Sequence, residues 1–177
     1  DGSYYRILER AGEVGATVFV HAENGEILDF LRRECIKKGQ TAPKYHYISR
    51  PPFTEAEGVR RAAYLAGKVG TPVYIAHVTC REALKELIEA RGNGVNINGE
   101  TCTHYLTITK DVLDNPDFNE ASKYVCSPAL RDQEDTDALW DALNRGILTA
   151  VSSDHCGIDV AELKQAGRDE EGNRYMP

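Results

Sequence analysis

Four short apolar runs constrain the fold more than any other feature: Thr17–Val20, Val73–Val78, Val95–Thr101 and Leu148–Asp154, each rich in β-branched residues. Runs of this length and composition read as strands buried on both faces, because a strand facing water on one side alternates apolar with polar. Between them lie segments of helical periodicity, and no two runs are joined by the two-residue turn of a hairpin. Strand, helix, strand, helix without hairpins predicts a parallel sheet covered by helices, hence an α/β fold. At 177 residues, 41% of them hydrophobic, the chain can bury the core this requires.

The helices predicted on this basis run over Tyr4–Glu13, stopped by Gly15, and Glu26–Lys38, stopped by Gly39. A third starts at Thr54, where Thr54 and Glu57 have capping-box spacing, and reaches Lys68 before Gly70 and Pro72. Others are predicted over Arg81–Arg91, a short piece at Lys110–Leu113, Glu134–Leu143, and a weak one at Val160–Gln165. The stretch TAPKYHYISRPPF, rich in proline and aromatics, is predicted to be a long loop, with His46 on its solvated surface.

The net charge of −7 and the lack of a Lys/Arg cluster exclude nucleic acid and anionic lipid as main partners, since both require a basic face. No apolar run is long enough to span a bilayer, and DGSYYRILER carries charges where a signal peptide is apolar, so a cytoplasmic protein is expected. The five cysteines are odd in number, scattered and without CxxC pairing, which predicts reduced thiols. Cys80, Cys102 and Cys126 read as small buried hydrophobes near strand ends.

Every strand ends in a group able to bind a cation or a proton: His21 then Glu23, His77, Glu100, and Asp154 then His155. In parallel α/β architectures the loops at the carboxyl ends of strands converge on one face, where sites form. A single strand-end histidine more often serves structure than chemistry. Two histidines and an aspartate at equivalent ends make a donor set suited to zinc, with neutral imidazole nitrogens, a hard carboxylate and room for water. A carboxylate beside that water can take its proton, so Asp154 suits both ligand and base.

The segments VHAENGEILD, YIAHVTC, GETCTHYL, KYVCSPALRD and VSSDHC, in this order and spacing, resemble the dihydropyrimidinase and hydantoinase family of cyclic amidohydrolases, part of the amidohydrolase superfamily. The resemblance covers nearly the whole chain. It implies a (β/α)8 TIM-type barrel, of which residues 1–177 supply the C-terminal half as one partial domain, strands five to eight with their helices. It also implies two zinc ions bridged by a carboxylated lysine, and opening of a dihydropyrimidine or 5-substituted hydantoin ring at an amide bond. By position, His21 and His77 resemble the metal ligands of the fifth and sixth strands. Asp154 resembles the eighth-strand aspartate that binds metal and acts as general acid/base. Ser127 matches a serine whose backbone contacts the substrate ring. Glu100, Glu23, His104 and His155 are assigned structural or outer-sphere roles.

The family's first-strand His-x-His pair, its bridging lysine and its oxyanion tyrosine have no counterpart in the 177 residues, and its asparagine loop would follow Pro177. The resemblance therefore implies a piece of a longer protein that lacks part of the metal site and the peripheral β-sandwich. It also implies a homo-oligomer, a tetramer, for the intact protein. The piece alone is expected to be inactive, and, with open sheet edges, to self-associate. Allantoinase and dihydroorotase share much of the metal set and are alternatives. So is a non-enzymatic scaffold resembling the collapsin response mediator proteins, against which the joint presence of His21, His77 and Asp154 speaks.

Overall fold

The computed structural model describes residues 2–157. The elements follow in the order α1 (Gly2–Glu13), β1 (Val18–Val20), α2 (Gly25–Lys37), α3 (Lys44–Ile48), α4 (Pro52–Val69), β2 (Val73–Ile75), α5 (Arg81–Gly92) and β3 (Ile97–Cys102). A 3₁₀ turn at Lys110–Asp114 then leads to α6 (Phe118–Ser122), α7 (Gln133–Asn144) and β4 (Ala150–Ser152). The four strands form one sheet in the order β1-β2-β3-β4, all parallel, with Val18 opposite Val73, Val73 opposite Ile97, and Glu100 opposite Ala150. Sequential parallel strands with helical crossovers are the arrangement of a (β/α) barrel wall. The expected α/β half-barrel is the observed fold.

One face of the sheet is packed under helices. Val73, Ile75 and Ile97 on this face meet Val59, Ala62, Ala63 and Ala66 of α4, Leu84 and Leu87 of α5 and Leu139 of α7, all buried. The small stripe on α4 lets that helix lie close to its neighbours. Gly58 shows how close: a Cβ there would stand 2.6 Å from the carbonyl carbon of Ala22 and 2.8 Å from the nitrogen of Glu23. The other face is open. Phe19 stacks on Tyr74 with ring centroids 5.4 Å apart, yet remains 63% exposed. Among the described residues, β1 and β4 each have a strand on one side only.

Several local expectations give way to tertiary context. The Pro-rich stretch contains helix α3, and His46 on it is buried, its Nε2–H donating to the carbonyl of Cys126 at 2.7 Å. The solvated role expected for His46 is therefore incorrect. The helix expected from Thr54 begins at Pro52, since proline at the first position lacks only an N–H the helix would leave unpaired. There is no capping box: the Thr54 hydroxyl donates to the carbonyl of Pro51 at 2.7 Å, and Glu57 accepts from Asn24 and Arg61. Helix α6, capped by the Asp117 side chain, was not expected. All five cysteines are free, with Cys80 and Cys102 buried and Cys126 half-buried. No helix among the described residues is long and apolar enough to cross a membrane. The expected helix at Val160–Gln165 lies outside the described residues.

Two outcomes follow from this packing. Gly58→Ala should lower the unfolding free energy by about 1–3 kcal/mol, the usual cost of overpacking. Gly92→Ala, where nothing stands within 4 Å of the new methyl, should not lower it; urea denaturation of the two variants checks both. The 177-residue chain on its own should self-associate through its open strands and inner face, so sedimentation as a monomer at micromolar concentration contradicts the expectation.

Candidate metal-binding site

His21 and His77 leave β1 and β2 at their carboxyl ends, and parallel register brings the two rings together. His21 Nδ1 lies 2.9 Å from His77 Nε2, and the rings meet edge to face with centroids 4.7 Å apart. On its far side, His21 Nε2 lies 2.9 Å from Glu23 Oε2. With Nε2–H donated to the carboxylate, Nδ1 keeps its lone pair toward His77. A carboxylate behind an imidazole in this way sets the tautomer and orientation that a metal ligand needs.

The electrostatics divide the pair. The hydrogen bond to Glu23 raises the pKa of His21, against a smaller opposing effect of burial. Burial lowers the pKa of His77, and the neighbouring His21 adds to the effect. Burial also works to raise the pKa of Glu23, whose side chain is only 4% exposed. The hydrogen bond and charge of His21, with the charges of Arg50 and Arg131, outweigh it and hold Glu23 below its ordinary range.

Nitrogens bound to one tetrahedral zinc at roughly 2.0–2.1 Å stand about 3.4 Å apart, so a separation of 2.9 Å needs only a small opening to admit an ion. His77 Nδ1, the ring nitrogen that does not face His21, and Glu23 Oε1 are buried with no hydrogen-bond partner among the described residues. The donors fit zinc. The third expected ligand is not gathered with them: Asp154 is exposed beyond β4, and among the described residues no three His, Cys, Asp or Glu side chains close into a metal-holding group. Its negative charge nevertheless favours the protonated form of both histidines.

The backbone at both strand ends is unusual. His77 has φ +34° and Asp154 φ +45°, the only positive values at non-glycine residues among those described. Residues in such conformations cluster at functional sites and persist where the surroundings over-determine them.

The remaining candidates fall around this pair. Ser127 is exposed, on a segment pinned at its neighbours: the Cys126 carbonyl accepts from His46, and the Pro128 carbonyl accepts from the Tyr105 hydroxyl at 2.6 Å. Glu100 accepts from Ser152 at 2.8 Å and from Tyr74 at 3.4 Å, bridging three strands. His104 meets Tyr105 at the turn after β3, ring centroids 4.1 Å apart and planes tilted by 49°, and His155 is exposed.

Sequence reasoning missed the buried ion pair between Glu55 and Arg131, whose side chains are 3% and 5% exposed. One signal was available: Glu55 stands on the same helical stripe as Val59, Ala62, Ala63 and Ala66, so a charge occupies a core position. Arg81 was missed too. Its backbone N–H and Nε donate to Asp135 at 2.9 and 3.1 Å, so a side chain of α7 caps the start of α5.

No family model matches the chain. It is 47% identical over 170 residues to the D-hydantoinases of Ralstonia pickettii and of Rhizobium radiobacter, covering 96% of this chain and 37% of each of those proteins. The crystal structure of dihydropyrimidinase from Brevibacillus agri superposes with a TM-score of 0.91 at 44% identity, over 94% of this chain and 36% of that one. The chain thus spans little more than a third of the length of the relatives it matches. By sequence and by fold alike, it belongs to the hydantoinase and dihydropyrimidinase family, as a segment corresponding to about a third of a member.

Proposed function

We propose that the protein to which this segment belongs opens a cyclic amide ring by metal-dependent hydrolysis, with a dihydropyrimidine or 5-substituted hydantoin as substrate, and that residues 1–177 form one partial barrel domain of it. The observation that carries this reading is the His21–His77 pair, 2.9 Å apart at adjacent strand ends with the buried Glu23 behind one ring. The names of the relatives, D-hydantoinase and dihydropyrimidinase, supply the substrate class.

Zinc, when bound, supplies an activated water at neutral pH and draws electron density from a carbonyl oxygen. His21 and His77 would hold it with neutral ring nitrogens, and Glu23 keeps the His21 ring in the tautomer this requires. Asp154, just beyond β4, would complete the set. As an exposed carboxylate, it takes the proton of the attacking water on a side-chain oxygen and passes it to the ring nitrogen as the amide bond breaks. Ser127 presents its backbone to the substrate ring, on a segment that His46 and Tyr105 hold in place.

These roles separate experimentally. His21→Ala and His77→Ala should each reduce the zinc content of the purified protein. Asp154→Asn should reduce ring opening by on the order of 10²–10⁴, the range for a general acid/base. Ser127→Ala, which leaves the backbone in place, should leave KM unchanged. Undiminished zinc in a variant lacking both histidines refutes the ligand assignment, and full turnover by Asp154→Asn refutes the proton transfer. The 177-residue chain alone, without a His-x-His pair, should open neither ring; clear turnover contradicts that.

A further inference from the structure

Behind His77 lies a buried charged cluster that no step above uses. Glu55, near the start of α4, accepts the backbone N–H of Thr79 on Oε1 at 2.8 Å. Its Oε2 accepts the Thr79 hydroxyl and, at 3.1 Å, Arg131 Nη2. Arg131 Nε donates to Thr79 Oγ1 at 2.9 Å, and Nη1 donates to the carbonyl of Arg50. Thr79, fully buried, is gripped at both main chain and side chain, two residues beyond His77.

That grip falls next to the strained position. His77, at φ +34°, lies between the Ala76 N–H, which donates to Val20, and the Val78 N–H, which donates to Glu100. Relaxation of His77 toward negative φ would rotate the chain that follows it, and Thr79 is where side chains from outside the sheet hold that chain. We propose that the Glu55–Arg131 pair is a positioning device for His77: by locking Thr79 it holds the backbone conformation that aims His77 Nε2 at His21. The consequence for metal affinity rests on the ligand assignment above; the consequence for ring geometry does not.

The pair can be removed without leaving a lone buried charge. Replacing a buried ion pair by apolar side chains of similar length is often neutral or stabilising, so the double variant E55M/R131M in the purified protein avoids the larger loss of stability that one charge left buried alone would cause. The expected result is a protein that still folds, with a melting temperature lowered because the buried Thr79 N–H and hydroxyl lose Glu55 as acceptor, loss of the His21–His77 contact in NMR spectra of ¹⁵N-histidine-labelled protein, and zinc affinity about 10- to 100-fold lower, the range for supporting residues behind metal ligands. R131K, which keeps the charge but not the planar fork, should lose the same contact, and it decides the question if the double variant does not fold. A folded variant with parental ring resonances and parental zinc affinity overturns the proposal, leaving the pair a purely structural one. Loss of the ring contact in a protein whose wild type binds no zinc upholds the positioning of His77 and refutes the ligand assignment instead.

Discussion

The ion pair between Glu55 and Arg131 is the interaction on which the arrangement depends. Taking two charges out of water costs several kcal/mol each after relaxation, and their attraction compensates only if the remaining donors and acceptors are also satisfied. Here they are: both Glu55 oxygens accept from Thr79, and all three guanidinium nitrogens of Arg131 donate. Burial works against the charge on Arg131, yet the pairing with Glu55 raises its pKa. The partners come from α4, from the segment between β2 and α5 and from the segment before α7, which share no secondary structure. Removing either partner alone leaves the other charge buried and costs on the order of 3–5 kcal/mol.

From this pair the site is built outward in two directions. Toward β2, Thr79 carries the constraint to His77. Toward α7, the Arg131 carbonyl accepts from Lys110 at 2.7 Å, and the chain before it runs through Pro128, held by Tyr105, to the exposed Ser127. Its charge, with that of Arg50, also helps keep Glu23 ionised behind His21. The Arg131 side chain thus holds Thr79, two residues beyond His77, and its charge acts on Glu23 behind His21, while its main chain continues to the Ser127 segment.

How much of this was legible in the sequence follows from the range of each interaction. The strands, the parallel order and the histidine ends are written in local patterns: β-branched runs, glycine stops and polar residues where a run ends. The ends of strands were overestimated for a physical reason. In the run Val73–Val78 the regular strand ends at Ile75, although the Ala76 and Val78 N–H groups still donate to neighbouring strands, and the run Leu148–Asp154 is strand only over Ala150–Ser152; the backbone turns to positive φ at His77 and Asp154. The burial of His46 was illegible, since its partner carbonyl at Cys126 lies 80 positions away in sequence. Arg131 lies 76 positions from Glu55, and nothing near either residue marks them as a pair. Only the place of Glu55 on an apolar stripe hinted at a buried partner.

The two halves of the candidate metal set also differ in how they are held, and the difference suits their proposed roles. His21 and His77 are fixed by neighbouring strands, by Glu23 and by each other, as ligands need to be, because a fraction of an ångström alters coordination. Asp154 stands exposed just past the last ladder residues, on a backbone of positive φ. A group that must accept a proton from water and deliver it to a leaving nitrogen benefits from reach and from contact with solvent, which a buried, fully bonded carboxylate such as Glu55 lacks. The same fold therefore separates carboxylates by environment: Glu55 is consumed by structure, Glu23 is committed to orienting a ring, and Asp154 is left available for chemistry.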